Sequence, residues 1–246
     1  MRRLWMAGAV LALASLATPA RAAESDFPKP HTSPQWFAFE LRFAPYWPQI
    51  DSQPGLTTTP YRNIFGTMPR LLVSAELEAE LLKIPHFGSL GPAFSFGYTQ
   101  MSAPAPFSAP ATGDSAENTN LEVYPMYLVA VLRVDVFLRD FKIPIVPYAK
   151  FGLGMTVWRA YTDQGTSSFN GQTGFGATWG EQIAVGGMIN LDWIDRRAAM
   201  SLDQAAGINH TYVFGEWMLA NLDNFGSSTA LRVGTDTFAA GLAFEF

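Results

Sequence analysis

The 246-residue chain contains no cysteine. That excludes disulfides, thiolate metal sites, a cysteine nucleophile and a lipoprotein-type anchor. It also suits a chain that crosses an oxidising compartment without forming wrong bridges. Charged residues make up only 15% of the chain, against 48% apolar and 14% aromatic, and there are three histidines. Sixteen basic residues face twenty-one acidic ones, so no basic surface argues for a nucleic-acid partner. Beyond the first two dozen residues there is no apolar run of the ~20 residues that a spanning helix needs. A chain this apolar must then spread its hydrophobicity over many short elements. No motif calls for a cofactor or a metal.

The first apolar stretch reads as an export signal. Arg2 and Arg3 precede the run Leu4 to Ala17, and Thr18-Pro19-Ala20-Arg21-Ala22 ends in an A-x-A pattern. The expected domain plan is a signal peptide over 1–22, a Pro-rich lead-in over 23–34 and one β-domain over 35–246. Sec-type export would remove Arg2, Arg3 and Arg21 and leave 13 basic against 21 acidic residues, a net of −8.

The last stretch, T-D-T-F-A-A-G-L-A-F-E-F from Thr235, organises the rest. Phe238, Ala240, Leu242, Phe244 and Phe246 fall on one face of an extended strand, and small or polar residues fall on the other. The same period of two recurs upstream. It predicts strands at about 35–46, 68–83, 89–101, 118–136, 145–160, 176–191, 208–220 and 235–246, with a short helix over 192–206 ending at Gly207. Strand four is apolar on both faces near its middle, so its register is left open. Loops after strands one, three, five and seven are long, and those after two and four are shorter. Eight antiparallel up-and-down strands, apolar on one face, fit a transmembrane β-barrel of the Gram-negative outer membrane. Tyr46, Trp47, Tyr61, Tyr98, Trp158, Trp179 and Trp217 sit where an aromatic girdle at the outer boundary is expected. A soluble lipocalin-like barrel is the competing architecture, with a greasy inside and a polar outside.

If the apolar stripes face lipid, then Glu40, Arg42, Glu76, Glu78, Glu80, Lys150, Gln182, His210 and Glu216 face inward, with Arg133 a possible third base. An eight-stranded interior is narrow enough for side chains to fill. These charges either satisfy one another as a polar plug or line a transport path or cation site. Three functions stay open: a membrane-structural or loop-mediated interaction role, a lipid A-modifying enzyme of the deacylase kind, or a narrow conduit for small or hydrophobic solutes. The enzyme reading rests on His210 with Glu216 as a general-base pair. It lacks a serine beside the histidine, because Tyr212 stands at that position.

Several segments resemble a family of myxobacterial outer-membrane β-barrel proteins of uncharacterised function. They are F-E-L-R-F-A-P-Y-W-P at 39–48, P-Y-R-N-I-F-G at 60–66, K-I-P-H-F-G-S-L-G at 83–91, I-P-I-V-P-Y-A-K-F-G-L-G at 143–154, G-I-N-H-T-Y-V-F-G-E at 207–216 and A-G-L-A-F-E-F at 240–246. The resemblance implies an outer-membrane barrel and carries over no catalytic residue. The expected partners are outer-membrane lipid, periplasmic chaperones and the barrel-assembly machinery, which would read Phe238, Leu242, Phe244 and Phe246. The barrel is expected to be a monomer.

Overall fold

The computed structural model describes residues 35–106, 113–169 and 171–246. The expected signal peptide and the lead-in to residue 34 lie outside the described residues. Eight long strands carry the fold: β1 (Phe37–Tyr46), β2 (Arg70–Ala79), β3 (Gly88–Pro106), β4 (Asp114–Arg133), β5 (Ile145–Thr162), β6 (Phe175–Asn190), β7 (His210–Leu222) and β8 (Thr235–Glu245). Each pairs antiparallel with its neighbours in sequence. Closure comes from β8 against β1, in a register that runs from Ala38 opposite Glu245 to Phe43 opposite Ala240. Every edge of the main sheet is thereby paired, which removes the hazard of an open edge.

The wall is inverted relative to a water-soluble barrel. Phe39, Phe43, Leu77, Phe94, Leu128, Phe151, Leu153, Ile183, Val185 and Phe238 are exposed on the outside. Glu40, Arg42, Glu76, Glu78, Arg133, Lys150, Gln182 and Glu216 are buried on the inside. Fully paired strands with this polarity are stable against hydrocarbon and unstable against water. Among the described residues no helix is long and apolar enough to cross a membrane.

Aromatic side chains bracket the apolar band. Trp47, Tyr98, Phe175 and Trp179 are exposed toward the long-loop end, and Trp36, Phe87, Phe137, Phe141 and Trp193 toward the short-turn end. Three members of the expected girdle are not in it. Tyr46 and Tyr61 are buried, and Trp158 packs on the interior cluster. Strand phase is the reason: Tyr46 shares the inward face with Arg42 and Ala44, and Trp158 shares it with Lys150 and Gly154. Position along the strand suggested a boundary residue, but the pleat turns both side chains inward.

Two connections carry more structure than their composition predicts. The Pro-rich stretch after strand three continues β3 to Pro106, paired with β4 across a register shift between Pro104 and Pro106. The loop after β1 folds into a 3-10 turn (Gln49–Ser52) and a short helix α1 (Pro60–Phe65). Two further helices lie at the turn end, α2 (Val136–Arg139) and α3 (Arg196–Ala206). Helix α3 starts on Asp195, whose carboxylate accepts from the amides of Arg197 and Ala198. It stops at Gly207, which adopts φ +70°, a conformation that glycine takes without penalty.

Candidate functional site

The pleat delivers charged side chains from six strands into the lower half of the bore. Glu40, which is 0% exposed, is their hub. Its carboxylate meets Lys150 Nζ at 2.6 Å, Arg42 Nη2 at 2.9 Å and Arg133 Nη2 at 3.2 Å. Lys150 also holds Glu76 at 2.6 Å, and Arg42 holds the same residue at 3.0 Å. Arg133 reaches Glu78 through Nε at 2.8 Å and Glu245 through Nη1 at 3.0 Å. Glu216 lies 3.0 Å from Arg42 Nε, out of line for a hydrogen bond, and accepts one from the Tyr148 hydroxyl at 2.9 Å. The Tyr212 hydroxyl donates to Glu245 at 3.0 Å.

The network ties β1 and β2 across the bore to β4, β5, β7 and β8. Arg133 bridges Glu40 on β1 and Glu245 on β8, the two strands that close the barrel. Charges buried this deeply need several partners each to offset desolvation. Six buried carboxylates (Glu40, Glu76, Glu78, Glu80, Glu216 and Glu245) face three buried cations (Arg42, Arg133 and Lys150). Gln182 lies inward from β6, and neither of its amide atoms has a protein partner. Ser95, Thr99 and Thr156 are similarly buried hydroxyls. Strand phase leaves Arg133 open, and it puts Glu245 opposite the apolar stripe of the last strand without marking it as a member of the charge layer. Both are inward residues at strand ends.

Above this layer the bore is apolar. Leu72, Met101, Val123, Tyr127, Val129, Met218 and Leu222 pack with Tyr46 from β1. Gly154 makes room for them, because a Cβ there would stand 2.7 Å from Leu222 Cδ2 and 2.8 Å from Tyr127 Cδ1. The loop after β1 closes the mouth with buried Ile50 and Tyr61. It is tied to the loop after β7 by Gln49 N to Gly234 O at 3.0 Å, and the Tyr46 hydroxyl donates to Val233 O. Asp51 holds α1 in place by accepting from the amides of Tyr61 at 2.7 Å and Arg62 at 3.0 Å. A pocket of about 280 Å³ opens on this cap, lined by Trp47, Gln49, Asp51, Tyr61 and Arg62 among others.

The histidine keeps the inward phase of Tyr212 and Glu216, opposite Glu245 in register, but stands at the rim. His210 begins β7 at the turn end, and its side chain is 32% exposed. Its Nδ1 bonds Asp192, a residue of the β6–β7 connection. Glu216 is six residues further along the strand, about 20 Å at strand rise, and is held in the charge layer. The structure does not bring His210 and Glu216 together. Asp192 has no periodic signal in sequence, because the contact is made across a turn. Its carboxylate also accepts from Asn190 Nδ2 at 3.0 Å and the Thr211 amide at 3.2 Å. Burial alone would raise its pKa. The hydrogen bonds from His210, Asn190 and Thr211 outweigh that and hold it below the usual aspartate value.

Phe238, Leu242 and Phe246 stand exposed on the outer face of the terminal strand and beside it, and Phe244 is half-buried on the same side.

No protein-family pattern matches the chain, and no curated protein matches it in sequence. Several solved structures resemble it. Neisserial surface protein A superposes with a TM-score of 0.45 at 12% identity, covering 86% of this chain and 97% of that one. The outer membrane protein OprG from Pseudomonas aeruginosa gives 0.45 at 11%, covering 86% and 96%. Ail, the attachment invasion locus protein of Yersinia pestis, gives 0.42 at 11%, covering 86% and 97%. At these identities the likeness concerns fold alone.

Proposed function

We propose that this chain is a sealed, monomeric outer-membrane barrel that anchors a structured loop cap at the cell surface and acts through that cap or as a membrane-structural element. The observation that carries the reading is the filled bore. A charge layer centred on Glu40 and an apolar plug under Ile50 and Tyr61 occupy successive levels of it. The inverted wall and the two aromatic belts support a membrane setting, with long loops outward and short turns toward the periplasm. The segments that resemble myxobacterial outer-membrane barrels support the same setting. The outward apolar stripe of β8 supports recognition by the barrel-assembly machinery. On this reading the pocket beside Trp47 and Arg62 is the interaction surface.

Planar-bilayer recording tests the sealed bore. The folded protein, its insertion verified by flotation with vesicles, should give no discrete conductance steps. Reproducible steps from the wild-type chain would overturn the sealed reading in favour of a conduit.

A further inference from the structure

A second pocket opens at the turn end, with a volume of about 500 Å³ and a lining of Leu138, Lys142, Pro144, Asn190, Asp192, Trp193 and His210. That is the size of a small-molecule site. Its side-chain polar atoms divide sharply. The acceptors are committed: Asp192 Oδ1 takes the Thr211 amide, Asp192 Oδ2 takes His210 and Asn190, and Asn190 Oδ1 takes the Asp192 amide at 3.0 Å. Donors remain. The Lys142 ammonium uses one of its three protons on Arg139 O at 2.8 Å. The indole Nε1 of Trp193, a residue 60% exposed, has no partner in the fold.

The ion pairs around the pocket leave the same lysine open. Asp135 and Asp140 are both paired with Arg139, at 3.3 and 3.0 Å. His210 is held by Asp192 through Nδ1. Among the described residues Lys142 makes no ion pair, and its one bond goes to a backbone carbonyl. A pocket with spare donors and an ammonium outside any ion pair is complementary to an acceptor-rich anion such as a phosphate.

The surroundings name the source of that phosphate. Phe137, Phe141, Ile143, Ile145, Ile189 and Ile194 are all exposed and form an apolar apron on the same two connections and the strand ends above them. Ile145 and Ile189 are register partners, so they stand side by side on the outer wall where β5 and β6 leave the pocket. Trp193 belongs to the turn-end aromatic belt, the depth at which headgroups sit. A ligand with its phosphate on Lys142 would lay its acyl chains along Ile145 and Ile189.

We infer that this pocket is a phospholipid site: it takes the phosphate headgroup of a lipid in the periplasmic leaflet through the Lys142 ammonium and the Trp193 indole. The inference rests on the membrane orientation proposed above. Flotation with vesicles reports the barrel, whereas headgroup binding reports the pocket, so the two fail separately.

The test is a titration of the full mature protein, folded in a non-ionic detergent. Dihexanoylphosphatidylglycerol is added while the Trp193 indole resonance and the retained lipid in native mass spectra are followed. One lipid should bind saturably and shift Trp193. Lys142→Gln is a change at an exposed residue, so folding and flotation should be unaffected while affinity falls at least tenfold. Equal lipid affinity in wild type and Lys142→Gln would overturn the site. So would sn-glycerol 3-phosphate binding as tightly as the lipid, since the pocket would then be reading a soluble anion.

Discussion

The bore has two layers built on opposite principles. The upper layer, around Leu72, Tyr127 and Met218, is held mainly by apolar packing. The lower layer, around Glu40, is held by ion pairs between residues far apart in sequence, such as Arg133 with Glu245. Apolar packing tolerates substitution of similar volume and specifies position loosely. A buried ion network is intolerant of losing one member, because the partner left behind is a bare charge. The lower layer therefore determines which strands meet across the bore, and it includes the β1–β8 seam that closes the barrel.

The sharpest break of this contrast is Arg133→Met. The side chain is similar in length and apolar, so packing is largely kept while Glu40, Glu78 and Glu245 each lose a partner. Removing one member of a buried pair costs about 3–5 kcal/mol. The expected outcome is a loss at the upper end of that range, read as a drop in the urea midpoint of reversible unfolding. A loss under about 1 kcal/mol would mean that the carboxylates are stabilised some other way, and the layer would not be a lock.

Leu72→Ala addresses the upper layer. Truncating a buried leucine costs about 2–5 kcal/mol through lost burial and a residual cavity. An outcome near 3 kcal/mol is expected here, because the Leu72 side chain abuts Gly97 and little can relax into the gap. Combined with Arg133→Met, the two losses should add to within about 0.5 kcal/mol, as independent sites do. Strong coupling between them would show that the bore is one cooperative unit and not two layers.

Much of this contrast was legible in the sequence, and the parts that were not share a cause. Alternation with a period of two separates Glu40, Arg42, Glu76, Glu78, Lys150, Gln182 and Glu216 from the lipid face, and all of them are buried inside. It also separates Phe238 and Leu242, which are exposed outside. Arg133 stayed ambiguous because β4 is apolar on both faces around Tyr127 to Val131, so its phase has no polar marker until its last residue. Tyr46 and Trp158 were assigned by their place near a strand end, although phase, which governs side-chain direction, put them inside. The contact of Asp192 with His210 and the burial of Ile50 and Tyr61 are made by connections. There neither period applies, and only the folded chain brings the groups together.

The smallest expected effect tests whether the turn end belongs to the lock at all. Asp192 ties the β6–β7 connection to the start of β7 through His210, Asn190 and the Thr211 amide. Asp192→Asn keeps the shape and removes the charge, so about 1 kcal/mol of local stability should be lost. Hydrogen exchange at the Leu191 and Thr211 amides reads it directly, because Leu191 N donates to Thr211 O at 2.8 Å across the same connection. The wild-type bond should also depend on pH. A carboxyl held below its unfolded value of about 3.9 contributes fully above that pH. It loses its contribution as pH falls through the lower, folded pKa. Protection at Leu191 and Thr211 should therefore decline below about pH 4 in the wild type, while Asp192→Asn shows no such acid step. If the urea midpoint of the whole barrel moved with that step, the turn-end clasp and the Glu40 layer would be one device. If it stayed fixed while local protection fell, the clasp governs only its own connection and the pocket beside it.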